Sequence, residues 1–167
     1  ANADPTVVDS QGWAALTIAA AGGHAKLLAR LLDAGASVQA RTQPSGRTAL
    51  MAAAQGGHTA AVSILLASPE CDAALRDATD SIGTTAVMLA AKNGHTDVIA
   101  ALVGAKCEPF AVDASGASAL ELACRRGSQP AVAALLSAGP PPPAMQVARG
   151  VMLASKHGHA PVVTLLI

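Results

Sequence analysis

Aromatic side chains are nearly absent from this sequence of 167 residues, in which Trp13 and Phe110 are the only two. Half of the residues, 51 %, are nevertheless apolar. This content argues against disorder, and the length suffices for one domain with a sizeable core. Most of the apolar residues are alanine, leucine and valine, so the core must form between small side chains brought close together. Closely spaced helices satisfy that requirement.

Long apolar runs and paired cysteines are absent as well. No run reaches the roughly 18 to 20 residues needed to span a bilayer, and residues 1–10 lack a basic start followed by an apolar signal segment. The three cysteines, Cys71, Cys107 and Cys124, are far apart and form no CxxC pair, which indicates neither a disulfide framework nor a zinc site. We therefore expect no membrane contact and a reducing, intracellular location, most simply the cytoplasm.

The charges balance overall but are unevenly distributed. Residues 1–113 contain seven basic and ten acidic side chains, whereas residues 114–167 contain four basic and one acidic side chain. The C-terminal third is therefore the positive end of the chain.

What the sequence does contain is a repeat built around a Gly-His dipeptide. The glycines of this motif are separated by 34, 37, 33 and 31 residues, and in one copy a serine replaces the histidine. A short apolar helix is predicted before each dipeptide, and a second helix with leucine and valine every three or four residues follows it. Periods in this range are typical of stacked units. The five glycines are Gly23, Gly57, Gly94, Gly127 and Gly158.

The pattern G-x-T-A-L-x-x-A-A-x-x-G-H-x-x-x-V-x-x-L-L, clearest at residues 46–66 and 83–102, resembles the ankyrin repeat. The resemblance covers nearly the whole chain and implies an all-α solenoid of about five helix-turn-helix units with short β-hairpin-like loops. Ala3-Asp4-Pro5 is similar to an ankyrin hairpin, and Ile167 falls inside a second helix, so we expect a fragment of a longer array. We predict a single domain over 1–167, divided into the tail of a preceding repeat (1–8), four repeats (9–42, 43–79, 80–112 and 113–139), a polyproline junction (140–143) and a truncated fifth repeat (144–167).

Several positions predict local departures from the pattern. Thr48, Thr85 and Ser118 are expected to cap their first helices, whereas Ala14 and Arg149 occupy the same position without a hydroxyl group. The second hairpin is longer than the others. Pro69 and Lys106 stand where a helix-ending glycine is usual, and four prolines at 140–143 replace a hairpin, although Pro143 could open the next helix.

Another departure concerns histidine. Met51, Met88 and Met152 replace the histidine of the ankyrin T-P-L-H motif, and Thr17 and Glu121 replace it in the remaining units. The resemblance therefore implies that the hydrogen-bond network which this histidine makes between repeats is missing.

The sequence gives little indication of catalysis or metal binding. His24, His58 and His95 occur once per repeat, so they should lie roughly 10 Å apart, too far to share a metal with bonds of about 2 Å. We expect each to fix the start of its second helix. His157-Gly158-His159 is closer, but no further ligand lies nearby in sequence. No nucleophile motif and no phosphate-binding loop is present. We predict no enzyme activity, no catalytic residue, no metal and no cofactor.

The candidate binding residues occupy the variable positions that, by the resemblance, line the concave face of the array. The helical positions change from neutral in the first two units to cationic in the last three, so four of them should form one basic strip, namely Lys92, Arg125, Arg126 and Lys156. Ordinary solvated charges are the alternative. An exposed Trp13 would be a binding anchor, whereas Phe110 is expected to pack over its hairpin. The full set is Trp13, Arg47, Gln55, Thr84, Lys92, Asn93, Arg125, Arg126, Lys156 and His157.

These observations predict a non-catalytic scaffold for protein–protein interaction. A basic strip pairs with an acidic peptide or protein surface. Nucleic acid is not the expected partner, because few cations and almost no aromatic side chains are available. The alternative is a regulatory or targeting region of a larger enzyme, such as a protein kinase. Self-association through the uncapped C-terminal edge at 162–167 is a further expectation.

Overall fold

The computed structural model describes residues 9, 13–137 and 140–167. This part of the chain contains two isolated antiparallel β-bridges, Arg41 with Thr48 and Val112 with Ser118, and no β-strand. The predicted tail at 1–8 lies outside it. The helices of the described residues are α1 (Ala15–Ala21), α2 (Ala25–Asp33), α3 (Ala49–Gly56), α4 (Thr59–Ala67), α5 (Ala73–Arg76), α6 (Ala86–Asn93), α7 (Thr96–Gly104), α8 (Ala119–Arg126), α9 (Gln129–Ser137), α10 (Ala144–Lys156) and α11 (Ala160–Leu166).

Apart from the short α5, the helices of the described residues pair along the chain into five two-helix units. The first helices of the units pack against one another in the order α1, α3, α6, α8 and α10. The second helices do the same in the order α2, α4, α7, α9 and α11. Each unit therefore contacts its neighbours in the sequence, as in a solenoid. The predicted all-α stack of helix-turn-helix units is confirmed.

The interior of the stack combines alanines from the first helices with branched side chains from the second. Ala53, Ala90, Val98 and Val132 are all fully buried. Alanine lets adjacent first helices approach closely, which keeps the interior dense without aromatic side chains. A single helix pair covers only part of its own apolar stripe, so each unit is stabilised mainly by its neighbours.

The predicted helix caps are present in the three middle units. The hydroxyl of Thr48 accepts a hydrogen bond from the Met51 backbone N–H at 3.3 Å, and Thr85 accepts from Met88 at the same distance. Ser118 accepts from the Glu121 backbone N–H at 3.4 Å. Each contact satisfies one otherwise unpaired amide, an interaction that contributes about 1 kcal/mol. Ala14 makes no such side-chain contact.

The fifth unit departs from the prediction at its first helix. α10 begins at Ala144 directly after Pro143, so Arg149 lies inside the helix and is not its capping residue. The Nε atom of Arg149 lies 3.4 Å from Oε1 of the buried Glu121, and its Nη1 donates to the Gly116 carbonyl at 3.0 Å. Arg149, which we aligned with the caps, therefore connects α10 to the fourth unit.

The second junction is longer than the others, as predicted, and the extra residues fold locally. They form α5, which Asp72 caps by accepting from the Leu75 backbone N–H at 2.8 Å. α4 ends at Ala67, before Pro69, with Ser68 extended. Lys106 adopts the left-handed conformation at φ 64°, so it ends α7 as a glycine would.

The residues in place of the T-P-L-H histidine are buried where a following unit covers them. Met51, Met88, Thr17 and Glu121 are each 1 % exposed. Met152, in the same position of the fifth unit, is 70 % exposed. Burial at this position therefore depends on the next unit of the stack.

Candidate partner-binding face

The candidate residues on helices come together at the ends of the first helices. Gln55 lies in the last turn of α3, Lys92 and Asn93 in that of α6, and Arg125 in that of α8. Direct contacts join adjacent units here, because the Asn93 amide donates to the Gln55 carbonyl at 3.3 Å. Since the first helices stack side by side, these positions form one row.

Four cations of this row form the basic strip, defined as Lys92, Arg125, Arg126 and Lys156. All four are exposed. Within the part of the chain that the structure describes, the ion pairs are Arg47 with Asp80 and Arg149 with Glu121, so none of the four strip cations is neutralised by a carboxylate at bonding distance. The strip is therefore open to an external anion.

The charge of Arg125 also reaches one carboxylate, that of Asp113. Burial raises the pKa of Asp113, but hydrogen bonds from Ser115 and from the Ala117 backbone, together with the charge of Arg125, hold the pKa below its ordinary value. Asp113 accepts from Ser115 Oγ at 2.6 Å and from the Ala117 backbone N–H at 3.0 Å. This carboxylate is therefore occupied within its own loop.

Arg126 has a second role besides exposing positive charge. Its Nη1 donates to the Lys92 carbonyl at 3.4 Å, and a Cβ atom added to Gly94 would lie only 2.7 Å from its Nε. The guanidinium thus lies across Gly94. The fourth unit has Ser128 in place of the repeat histidine, and Arg126 makes the contact between units that a histidine makes elsewhere in the stack.

Those histidines form a ladder between units that the sequence reasoning missed. His58 Nε2 lies 2.9 Å from the Ala21 carbonyl oxygen, His95 Nε2 lies 3.1 Å from that of Gln55, and His159 Nε2 lies 3.1 Å from that of Arg125. Each histidine stands at the start of its second helix, as expected, but its ring makes no cap hydrogen bond to that helix. The signal was in the sequence, because a glycine, which has no Cβ, precedes the histidine in every unit that has one.

The turn residues are more constrained than the helical ones. Arg47 places its Nε 3.5 Å from Asp80 Oδ2 and donates from Nη1 to Gln55 Oε1 at 2.7 Å. Asp80 also accepts from the Thr84 backbone N–H at 2.9 Å. Thr84 is only 7 % exposed, so its side chain offers little surface to a partner.

The two aromatic side chains differ in burial. Trp13 is half-buried and lines a surface pocket together with Arg47 and Gln55. Phe110 is 8 % exposed, and its carbonyl accepts from Gln146 Nε2 of α10 at 2.8 Å. Phe110 is thus buried and its backbone is bonded to α10, whereas Trp13 is the aromatic residue available at the surface.

Chemical groups that could serve catalysis or metal binding are scattered. Among the described residues no three His, Cys, Asp or Glu side chains gather as metal ligands would. The rings of His157 and His159 stack, with their centroids 6.1 Å apart. All three cysteines are buried, and burial raises the pKa of the Cys107 thiol to about 12 and that of Cys124 to about 11.

No helix of the described chain is both long enough and apolar enough to cross a membrane.

The stack of two-helix units and its row of variable side chains define a helical repeat scaffold. A family model described as ankyrin repeats, in three copies, matches residues 1–77 and again residues 70–145. The chain therefore belongs to the ankyrin-repeat family. Members of this family are in general non-enzymatic modules for protein–protein interaction, and this chain is an interaction scaffold in that general sense.

Proposed function

We propose that this scaffold captures an acidic peptide or an acidic protein surface on the basic strip. The observation that carries the proposal is the alignment of four exposed cations on successive units, with no ion pair to a described carboxylate. Arginine pairs with carboxylates through two parallel hydrogen bonds, and complementary charge speeds encounter and sets register. Because the stack holds these side chains at fixed spacing, binding requires little ordering of the scaffold.

A charge-reversal experiment tests the proposal. The variant Lys92→Glu with Arg125→Glu avoids Arg126, which also supports the stack. The matched control is Lys26→Glu with Arg30→Glu, two exposed cations of α2 that give the same change in net charge. The probe is a fluorescein-labelled peptide with several glutamates, and a glutamine peptide of equal length serves as its neutral counterpart.

We expect the strip variant to bind the glutamate peptide at least about tenfold more weakly at low ionic strength, as the loss of two charge-assisted contacts implies. The control variant should bind within about twofold of the wild type, because surface charges outside the site contribute little. Equal losses in both variants would reduce the effect to net charge and would contradict a specific strip. A labelled DNA duplex in the same assay tests our expectation that nucleic acid is not the partner.

Three further expectations stay as proposals. A reducing, intracellular and cytoplasmic location is supported by three buried free thiols. A regulatory or targeting role within a larger enzyme, such as a protein kinase, is compatible with the same binding strip. Self-association through the C-terminal edge is supported by Met152 and Ile167, which are 70 % and 90 % exposed. Sedimentation velocity of the wild type and of Met152→Gln tests it, and a concentration-independent monomer would exclude it.

A further inference from the structure

A pocket opens on the same row of first helices, at the end opposite the positive part of the chain. It has a volume of about 370 Å³. We call it the Trp13 pocket. Its lining residues are Trp13, Ala21, Arg47, Ala52, Gln55 and Gly56.

The pocket exists because one unit has a small side chain where the others have a large one. Ala52 of α3 occupies the helical position that Ile18 holds in α1, Leu89 in α6 and Leu122 in α8. Leu89 and Leu122 are 4 % and 7 % exposed, so in their units this space is filled by the chain itself. In the second unit it is left open.

Gly56 leaves the pocket open on another side. A Cβ atom added to Gly56 would lie 2.5 Å from the ring of His58, so a larger residue cannot replace this glycine without displacing the ring. The equivalent positions of the next two units carry Asn93 and Arg126. The third unit combines Asn93 with the same histidine contact through His95, so the missing side chain at Gly56 is a feature of the second unit and not of the contact.

The rim of the pocket is held in place by contacts already described. Asp80 fixes Arg47 from one side and Gln55 binds it from the other, at 3.5 and 2.7 Å. The half-buried Trp13 indole supplies an apolar wall. An apolar floor with a few fixed polar groups at the rim is the usual composition of a site for one side chain of a partner.

Resting on the function proposed above, we propose that the Trp13 pocket receives one bulky apolar side chain of the peptide whose acidic side chains contact the basic strip. The pocket and the strip lie in adjacent units, because Gln55 lines the pocket and its carbonyl accepts from Asn93, the residue next to Lys92, and from His95. The partner is therefore a peptide with an apolar anchor at one end and acidic residues at the other.

The spacing of the units fixes the spacing of this motif. Adjacent packed helices lie about 8 to 10 Å apart, and an extended peptide advances about 3.3 Å per residue. One unit thus corresponds to about three peptide residues. The first acidic residue, opposite Lys92, stands about three residues from the anchor, and the second, opposite Arg125, stands about six residues from it.

The test uses labelled synthetic peptides and the intact chain. The motif peptide has a leucine followed by glutamates three and six residues later in a serine-glycine background, and a second peptide has the reverse order. Each is compared with a version that has alanine for leucine. The Ala52→Leu variant fills the pocket with the side chain that α6 and α8 already carry, and Ala21→Leu fills it from α1. Ala100→Leu, at an exposed position of α7, is the matched control, and thermal melting by circular dichroism checks that each variant is folded.

We expect one of the two leucine peptides to bind the wild type at least about tenfold more tightly than its alanine version, as burial of one leucine implies. Ala52→Leu and Ala21→Leu should remove this difference, whereas Ala100→Leu should keep it.

If leucine and alanine peptides bind equally while Lys92→Glu with Arg125→Glu weakens both, the pocket has no anchor role and the proposed function stands. If both Ala52→Leu and Ala21→Leu still prefer the leucine peptide, the anchor role of the Trp13 pocket is wrong. If no peptide binds, or if charge reversal changes nothing, the proposed function falls as well.

Discussion

The imidazole of His58 is held 2.9 Å from the carbonyl oxygen of Ala21, a residue of the preceding unit, and its ring lies over Gly23 with no room for a Cβ atom between them. The same relationship joins His95 to Gln55 and Gly57. Adjacent units are therefore connected by a hydrogen bond as well as by apolar packing.

Removing one of these histidines should lower the free energy of unfolding. We expect His95→Ala to cost about 1 kcal/mol from the lost hydrogen bond, plus a contribution from the cavity that the ring leaves. His24→Ala is the control, because no preceding helix of the described chain stands beside α1 to receive such a bond. Urea denaturation followed by circular dichroism gives both values. Equal midpoints for His95→Ala and the wild type would contradict a stabilising ladder.

Substitution of the glycine under the ring should cost more than its backbone conformation alone explains. Gly57 and Gly158 have nearly the same left-handed φ, 74° and 75°, but a Cβ atom would lie 2.6 Å from His95 Nδ1 at Gly57 and would contact nothing within 4 Å at Gly158. Gly158→Ala should lose about 1 kcal/mol from the strained φ. Gly57→Ala should lose more, and the added His95→Ala should recover part of the difference. A Gly57→Ala variant no less stable than Gly158→Ala would refute the steric account.

The two adjacent arginines of the strip should differ in their effect on stability. Arg126→Ala removes the contact with the Lys92 carbonyl and the side chain over Gly94, so we expect a lower melting temperature. Arg125→Ala should change the free energy of unfolding by no more than about 0.5 kcal/mol, as is usual for an exposed side chain, and should therefore melt close to the wild type. The double variant Arg126→Asn with Ser128→His recreates the arrangement of Asn93 and His95 and should restore the melting temperature. If the two single variants melt alike, the bridging role of Arg126 is wrong.

The buried thiols should make stability depend on alkaline pH. Burial raises the pKa of Cys107 to about 12 and that of Cys124 to about 11, from an ordinary value of 9.0. The folded thiols therefore keep their protons where unfolded thiols lose them, so the free energy of unfolding falls as the pH rises from about 9 toward 11 to 12. Urea denaturation across this range measures the loss, and Cys107→Ala should show a smaller one.

The burial of the cysteines also predicts little reaction with a thiol reagent in the folded state at pH 8, and full reaction in denaturant. Rapid labelling of the folded protein would contradict it.

The sequence predicted the parts of the fold that depend on local pattern. The first helices follow from the run of alanines and leucines, and their caps follow from a hydroxyl residue such as Thr48 at a fixed distance before Gly57. These features require only residues that are close in the chain. The sequence allowed Pro143 to open a helix, as it does at the start of α10, but Arg149 was wrongly aligned with the caps, because its partner Glu121 comes from another unit.

The candidate site was less predictable for the same reason. The row of cations could be derived from the repeat alignment, because equal positions in stacked helices share a face. The second role of Arg126 depends on Gly94 in the neighbouring unit, and the Trp13 pocket depends on the small size of Ala52 relative to its counterparts. Both are comparisons between units, and they become meaningful only when the order of packing is known.

The contact between a glycine of one unit and a ring or guanidinium of the next also constrains how such arrays can change by recombination. Gly57 accepts the ring of His95, Gly94 accepts Arg126, and Gly127 accepts the ring of His159. An inserted segment that encodes a whole unit carries both a glycine and a ring. Its ring would contact the glycine of the preceding unit, and its glycine would accept the ring of the following unit. Duplication or loss of whole units, measured from one glycine to the next, would therefore preserve these contacts.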